Sequence, residues 1–275
     1  MAPRAGQRIG TLLLAVGALA ALPAWAAKPG DCEQLARLDD ATGLPRAFGG
    51  AHLGDRERDL ESRWKGYSRP LGGQQFADGV LAYPIVDDAS HRVVKLVLAA
   101  GSHAGEVHAM LARLYGAPRV TGPSGAAVWV WPARRVRASV SNELPLVFEP
   151  YRPLRELDIA RLLSLAGSTV KHAERTLGVR AEHREIGASH RFKLPATEFG
   201  AAEVAASVRK GRLVGVSVVL EYPGGDPPSA LLEAAGAATR REKSSIWVTE
   251  GGIQIEVDQA GTLSSSVTFS RPGGP

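Results

Sequence analysis

The chain has 275 residues, with 33 basic and 28 acidic side chains, a formal net charge of +5 and an aromatic content of 6%. The charges of both signs are interspersed, which excludes the concentrated basic stripe that nucleic-acid binding by counterion release requires, and the low aromatic content argues against a base-stacking platform. The length suits one large or two small domains.

Arg4 and Arg8 precede an uncharged run from Ile9 to Leu22, which is followed by Pro23, Ala24, Trp25 and Ala26. A basic start, a short apolar stretch and small residues before a cleavage point are the order of a signal peptide, expected here over 1–26. The apolar run is shorter than the roughly 20 residues of a spanning helix, and proline breaks it. Cleavage after Ala26 removes two basic side chains and no acidic one, leaving a net charge of +3. Cys32 is the only cysteine, and Pro29 and Asp31 before it do not fit a lipobox, so it reads as a free thiol without an internal disulfide partner. No later segment is apolar enough to span a membrane, and the mature chain is expected to be periplasmic or secreted.

Beyond the leader, one pattern occurs twice, about 120 residues apart. In the first copy, Leu53-Gly54-Asp55 is followed by Leu60, Trp64 and Gly66, which predicts a helix of about three turns capped by Asp55 and ended by glycine. A strand is expected over 79–86, and another where Val94, Leu96 and Leu98 alternate. Val107, Met110, Leu111 and Leu114 then recur at helical spacing up to Gly116. Val128-Trp129-Val130-Trp131, Val136 to Val140 and Leu146-Val147-Phe148 read as three further strands, the first two joined by a hairpin turn at Pro132 to Arg135.

The second copy opens with Ala166-Gly167-Ser168, then Val170, Ala173, Leu177 and Gly178, with Ser168 as the expected cap. Strands follow over 202–208 and through Val214, Val216, Val218 and Leu220, then a helix from Pro228 to Gly236. Ile246-Trp247-Val248-Thr249, Ile253 to Val257 and Ser266 to Phe269 complete the set, with Trp247 where the first copy has Trp129. Two prolines and few apolar anchors make 149–153 the expected linker. The fold class expected is α+β: two tandem modules of helix plus antiparallel sheet over 27–149 and 154–271, after the leader.

Phe48-Gly49-Gly50-Ala51-His52-Leu53-Gly54 and Leu165-Ala166-Gly167-Ser168, each opening a helix ahead of antiparallel strands and a Trp-bearing strand, carry a resemblance. The arrangement resembles the tandem modules of the beta-lactamase-inhibitor-protein-like group and the small outer-membrane lipoproteins of the barrel-assembly machinery. The chain lacks the lipobox cysteine of the second group and the cysteine pairs of the first. The resemblance implies a non-catalytic protein-binding module.

The most enzyme-like string is Ser168-Thr169-Val170-Lys171, a Ser-x-x-Lys match that would place a lysine one turn from a serine nucleophile in an envelope hydrolase or transferase. Its partner motifs Ser-Asp-Asn and Lys-Thr-Gly are absent, and a helix cap accounts for the serine. Histidine spacing offers no metal site: His103 and His108 are five apart, and only His183 and His190 could meet across a hairpin. No phosphate loop or nucleophile elbow occurs, so no cofactor is expected. Trp129 and Trp247 read as core; Trp131, with Tyr222 behind it, is the aromatic expected to anchor a partner. The function expected is non-enzymatic binding of a protein or envelope component. A small-ligand or lipid carrier using a concave sheet face is the alternative outside catalysis.

Overall fold

The computed structural model describes residues 29–76, 80–99, 104–122, 126–140, 145–184, 189–224, 227, 229–240, 246–258 and 264–271. The leader over 1–26 and His103 lie outside them, as do the side chains of Cys32, His108 and His183. The first half runs α1 (Pro29–Ala36), α2 (Leu60–Arg63), β1 (Gln74–Gln75), β2 (Leu81–Asp87), β3 (Arg92–Ala99), α3 (Ala104–Tyr115), β4 (Val120–Thr121), β5 (Ala127–Trp131), β6 (Val136–Val140) and β7 (Leu146–Pro150). The second runs α4 (Ile159–Leu163), α5 (Val170–Leu177), β8 (Glu182–Arg184), β9 (Ser189–Leu194), β10 (Ala201–Arg209), β11 (Arg212–Pro223), α6 (Ser229–Ala234), β12 (Ala237–Arg240), β13 (Ile246–Thr249), β14 (Gln254–Asp258) and β15 (Ser264–Ser270).

The fold is α+β, with one antiparallel sheet in each half. The first sheet has the order β1-β2-β3-β7-β6-β5-β4 and the second β12-β13-β14-β15-β11-β10-β9-β8. Read from opposite ends, the orders correspond from β2 to β4 and from β10 to β12. Registers correspond too. Trp129, Ala138, Phe148 and Leu96 form one row across four strands of the first sheet. Trp247, Ile255, Phe269 and Val218 form such a row in the second.

Each row faces a core. In the first, Phe48 meets the rings of Trp64 and Phe148 edge-on at centroid distances of 5.6 and 6.0 Å, the arrangement favoured by the quadrupoles of aromatic rings. Trp129 is buried, with its Nε1 donating to the Gly116 carbonyl at 2.9 Å. Trp247 is only half-buried against the second core. The cover differs: α3 has 12 residues and brings Tyr115 edge-on to Trp129, whereas α6 has 6.

The helix openings differ from the expectation. Residues 57–59 form a 3-10 turn and α2 is a single turn, with Asp59 at its N-cap. Asp55 instead closes its own turn, accepting from the His52 amide at 2.8 Å and from Arg63 Nη1 at 2.7 Å. Thr169, not Ser168, caps α5, its hydroxyl accepting from the His172 amide at 3.2 Å. What the two openings share is a backbone clasp. The Gly54 amide donates to the Val93 carbonyl and the Val93 amide to the Asp55 carbonyl, at 2.7 and 2.8 Å. Gly167, Leu213 and Ser168 repeat it, both bonds at 2.8 Å. Arg92 Nη1 and Arg212 Nη1 close the clasps on the Gly54 and Gly167 carbonyls, each at 2.7 Å. The glycines have φ of +88° and +83°, a region where a Cβ is costly.

Candidate binding sites

Alternation along β5 puts Val128 and Val130 on the face opposite Trp129 and Trp131. That face is covered, because Val120 and Val128 belong to the same buried cluster as Phe199, Phe192 and Phe269 of the second half. A strand packed on both sides needs apolar residues throughout, which is why 127–131 carries no polar residue. Along the same outer face, Lys95, Glu149 and Arg137 stand opposite one another on β3, β7 and β6. Glu149 is buried and takes Arg137 Nε at 2.9 Å, Arg137 Nη2, and Lys95 Nζ at 2.8 Å. Burial acts to raise the Glu149 carboxyl, but the Arg137 guanidinium and the Lys95 ammonium outweigh it and hold the group below the usual carboxylate range. Arg137 also donates to the Thr197 carbonyl at 3.2 Å, which ties the network to the second half.

The 149–153 segment is therefore fastened at both ends of its path. Glu149 sits in the network. Tyr151 bridges in parallel to Ala196, the Arg152 amide donates to the Ala196 carbonyl at 2.8 Å, and the Leu154 amide donates to Glu198 Oε2 at 2.7 Å. The partner loop is itself rigidified by Thr197, whose hydroxyl accepts from the Phe199 and Gly200 amides, both at 3.2 Å.

Beside this seam lies a cleft of about 680 Å³. From the first half it takes Arg119 and Arg135, from the joining segment Tyr151, and from the second half Arg155, Glu198 and Glu233. Arg119 lies over the Phe199 ring at 5.4 Å, a cation-π contact, and Arg135 forks onto Glu156 at 2.9 and 3.0 Å. Burial, then the charge of Glu198, pushes the Tyr151 phenol up, so it stays a neutral donor and acceptor. Cations, carboxylates and a phenol in one depression can bind a partner bearing both signs of charge. Nothing in it pairs a nucleophile with a base.

A second cavity, of about 710 Å³, lies by the β10–β11 turn of the second half. It shares no lining residue with the first.

The residues singled out from sequence fall elsewhere. Ser168 Oγ is buried with no hydrogen-bond partner, and Lys171 is exposed on the first turn of α5, so the Ser-x-x-Lys match brings no bonded pair together. Trp131 is half-buried, stacked on Phe148 at 5.9 Å and edge-on to Tyr115 at 5.4 Å, at the margin of the first core. Tyr222 is 3% exposed within the second core. His183 and His190 stand opposite each other on β8 and β9. Among the described residues no group of three or more His, Cys, Asp or Glu could hold a metal, and no helix is long and apolar enough to cross a membrane. The cleft residues carry no sequence signature, because loops, a 3-10 turn and α6, far apart in the chain, supply them. Comparison with protein families, with curated proteins and with solved structures finds no match for this chain.

Proposed function

We propose that the chain is an exported, non-enzymatic protein of a bacterial envelope, periplasmic or secreted, which binds another protein or an envelope component in the cleft between its modules. One scaffold used twice is part of that reading. It is supported by the corresponding strand orders, the corresponding tryptophan rows and the two Gly-Arg clasps. Export is supported by the chemistry of the leader. The sequence resemblance of residues 48–54 and 165–168 to inhibitor and assembly modules points the same way.

The observation that carries the proposal is the cleft itself, which gathers polar groups from both halves on a seam held by the Glu149 network. A photo-crosslinking residue placed at Ala230, which lines the cleft, is expected to trap a discrete partner in intact cells. Charge reversal by Arg155→Glu with Glu233→Lys is expected to lose that product. A crosslinking pattern indifferent to those reversals overturns the proposal, as does unaided turnover of a substrate by the purified protein.

A further inference from the structure

The second cavity gathers three cations besides the Arg212 that closes the Gly167 clasp. Arg209 pairs with Arg212 across the β10–β11 turn, and Lys210 lies between them, so three cations occupy four residues. Like charges opposed across a hairpin are destabilising. Arg271, just beyond β15, adds a fourth cation to the same lining. Among the described residues no carboxylate lines the cavity, and none lies within ion-pairing distance of these four cations. Arg212 is the most constrained of them, since its guanidinium is held on the Gly167 carbonyl at 2.7 Å.

Beneath the cations the lining is mainly apolar, with half-buried Val214 and the serines Ser164, Ser217 and Ser270. Leu163, Leu213 and Val216 are buried at its base, with Ala166 exposed at its wall. The space exists because β15 pairs with β11 only over Val218 to Pro223, leaving residues 212–217 without a strand on that side. Gly215, at φ +56°, marks a bulge in this stretch where the register with β10 slips. The volume of about 710 Å³ falls within the usual range for small-ligand sites, roughly 300–1,000 Å³.

We infer that this cavity binds a small anionic amphiphile, a single alkyl or acyl chain with a phosphate or carboxylate head. The head lies among Arg209, Lys210, Arg212 and Arg271, and the chain lies along Ala166, Val214 and the edge of Val216. The site is independent of the cleft between the modules, with which it shares no residue, so either can fail alone.

Titration calorimetry with octyl phosphate below its micelle concentration tests this, with inorganic phosphate and octanol as head-only and tail-only probes. Octyl phosphate is expected to bind at least tenfold more tightly than either, and to weaken several-fold from low to high salt as the exposed cations are screened. Arg209→Gln with Lys210→Gln is expected to weaken it about tenfold, and Ala166→Trp, at an exposed wall, to block it by filling the space. Both variants are checked for an unchanged melting temperature. Affinity unaltered in both variants overturns the inference, as does inorganic phosphate binding as tightly as octyl phosphate.

Discussion

Replacing Glu149 by glutamine probes the seam between the halves. The amide keeps the shape of the carboxylate but leaves two cations facing a neutral group. Lys95 can turn outward, since its side chain is 42% exposed, whereas that of Arg137 is 6% exposed and cannot. Removing one partner of a buried pair costs about 3–5 kcal/mol, and the escape of Lys95 places Glu149→Gln near the lower limit, about 3 kcal/mol. For a chain of this size that corresponds to a fall in melting temperature of about 6–12 °C. Urea denaturation followed by tryptophan fluorescence gives the free energy. The double change Arg137→Met with Glu149→Leu, which removes the stranded charge, is expected to recover most of the loss. The effect also has a pH signature. The folded Glu149 carboxyl lies below its free value of about 4.5, so its contribution is fully present above that pH and is lost as pH falls through the folded value. The gap between the parent and Glu149→Gln is therefore flat at neutral pH and closes below about pH 4.5. A loss under about 0.5 kcal/mol, in the range of ordinary surface changes, or a gap that widens in acid, would refute the reasoning.

Phe148→Ala is expected to cost about 3–5 kcal/mol, because the ring is fully buried among Phe48, Tyr115 and Trp131; thermal denaturation measures it. Gly200→Ala is expected to abolish folding, since its Cβ would lie 1.6 Å from the Glu221 carbonyl oxygen; soluble yield and circular dichroism report this. Thr169→Ala is expected to lose about 1 kcal/mol with the α5 cap, whereas Ser168→Ala is neutral or slightly stabilising because its buried hydroxyl has no partner. Chemical denaturation separates the two.

Strands were the most legible part of the sequence. Alternation of Val94, Leu96 and Leu98, and of Val214 to Leu220, is a local property, and β3 and β11 lie where it falls. The tryptophan positions were legible for the same reason. Caps were less so: Asp55 and Ser168 are good capping residues, yet neighbouring Asp59 and Thr169 occupy the N-caps, a choice fixed by the clasp to Val93 and Leu213 far along the chain. Glu149 reads as the start of a linker and Arg137 as one residue of a strand, because nothing local announces that the second half covers that face. Tyr222 continues the alternation of β11 and so is core rather than contact site. The Arg209-Lys210-Gly211-Arg212 run carries no reading in the sequence alone, because its meaning depends on Arg271 and on the apolar wall supplied by distant segments.

Because Val120 and Val128 of the first half complete the hydrophobic cluster of the second, the second half expressed separately would lack a finished interior, whereas the first keeps a core drawn from its own residues. A fragment ending at residue 150 would present those valines to water, and a fragment beginning there would carry an unfilled socket. The second module thus leans on the first for its interior, and loss of the first is expected to carry the second with it.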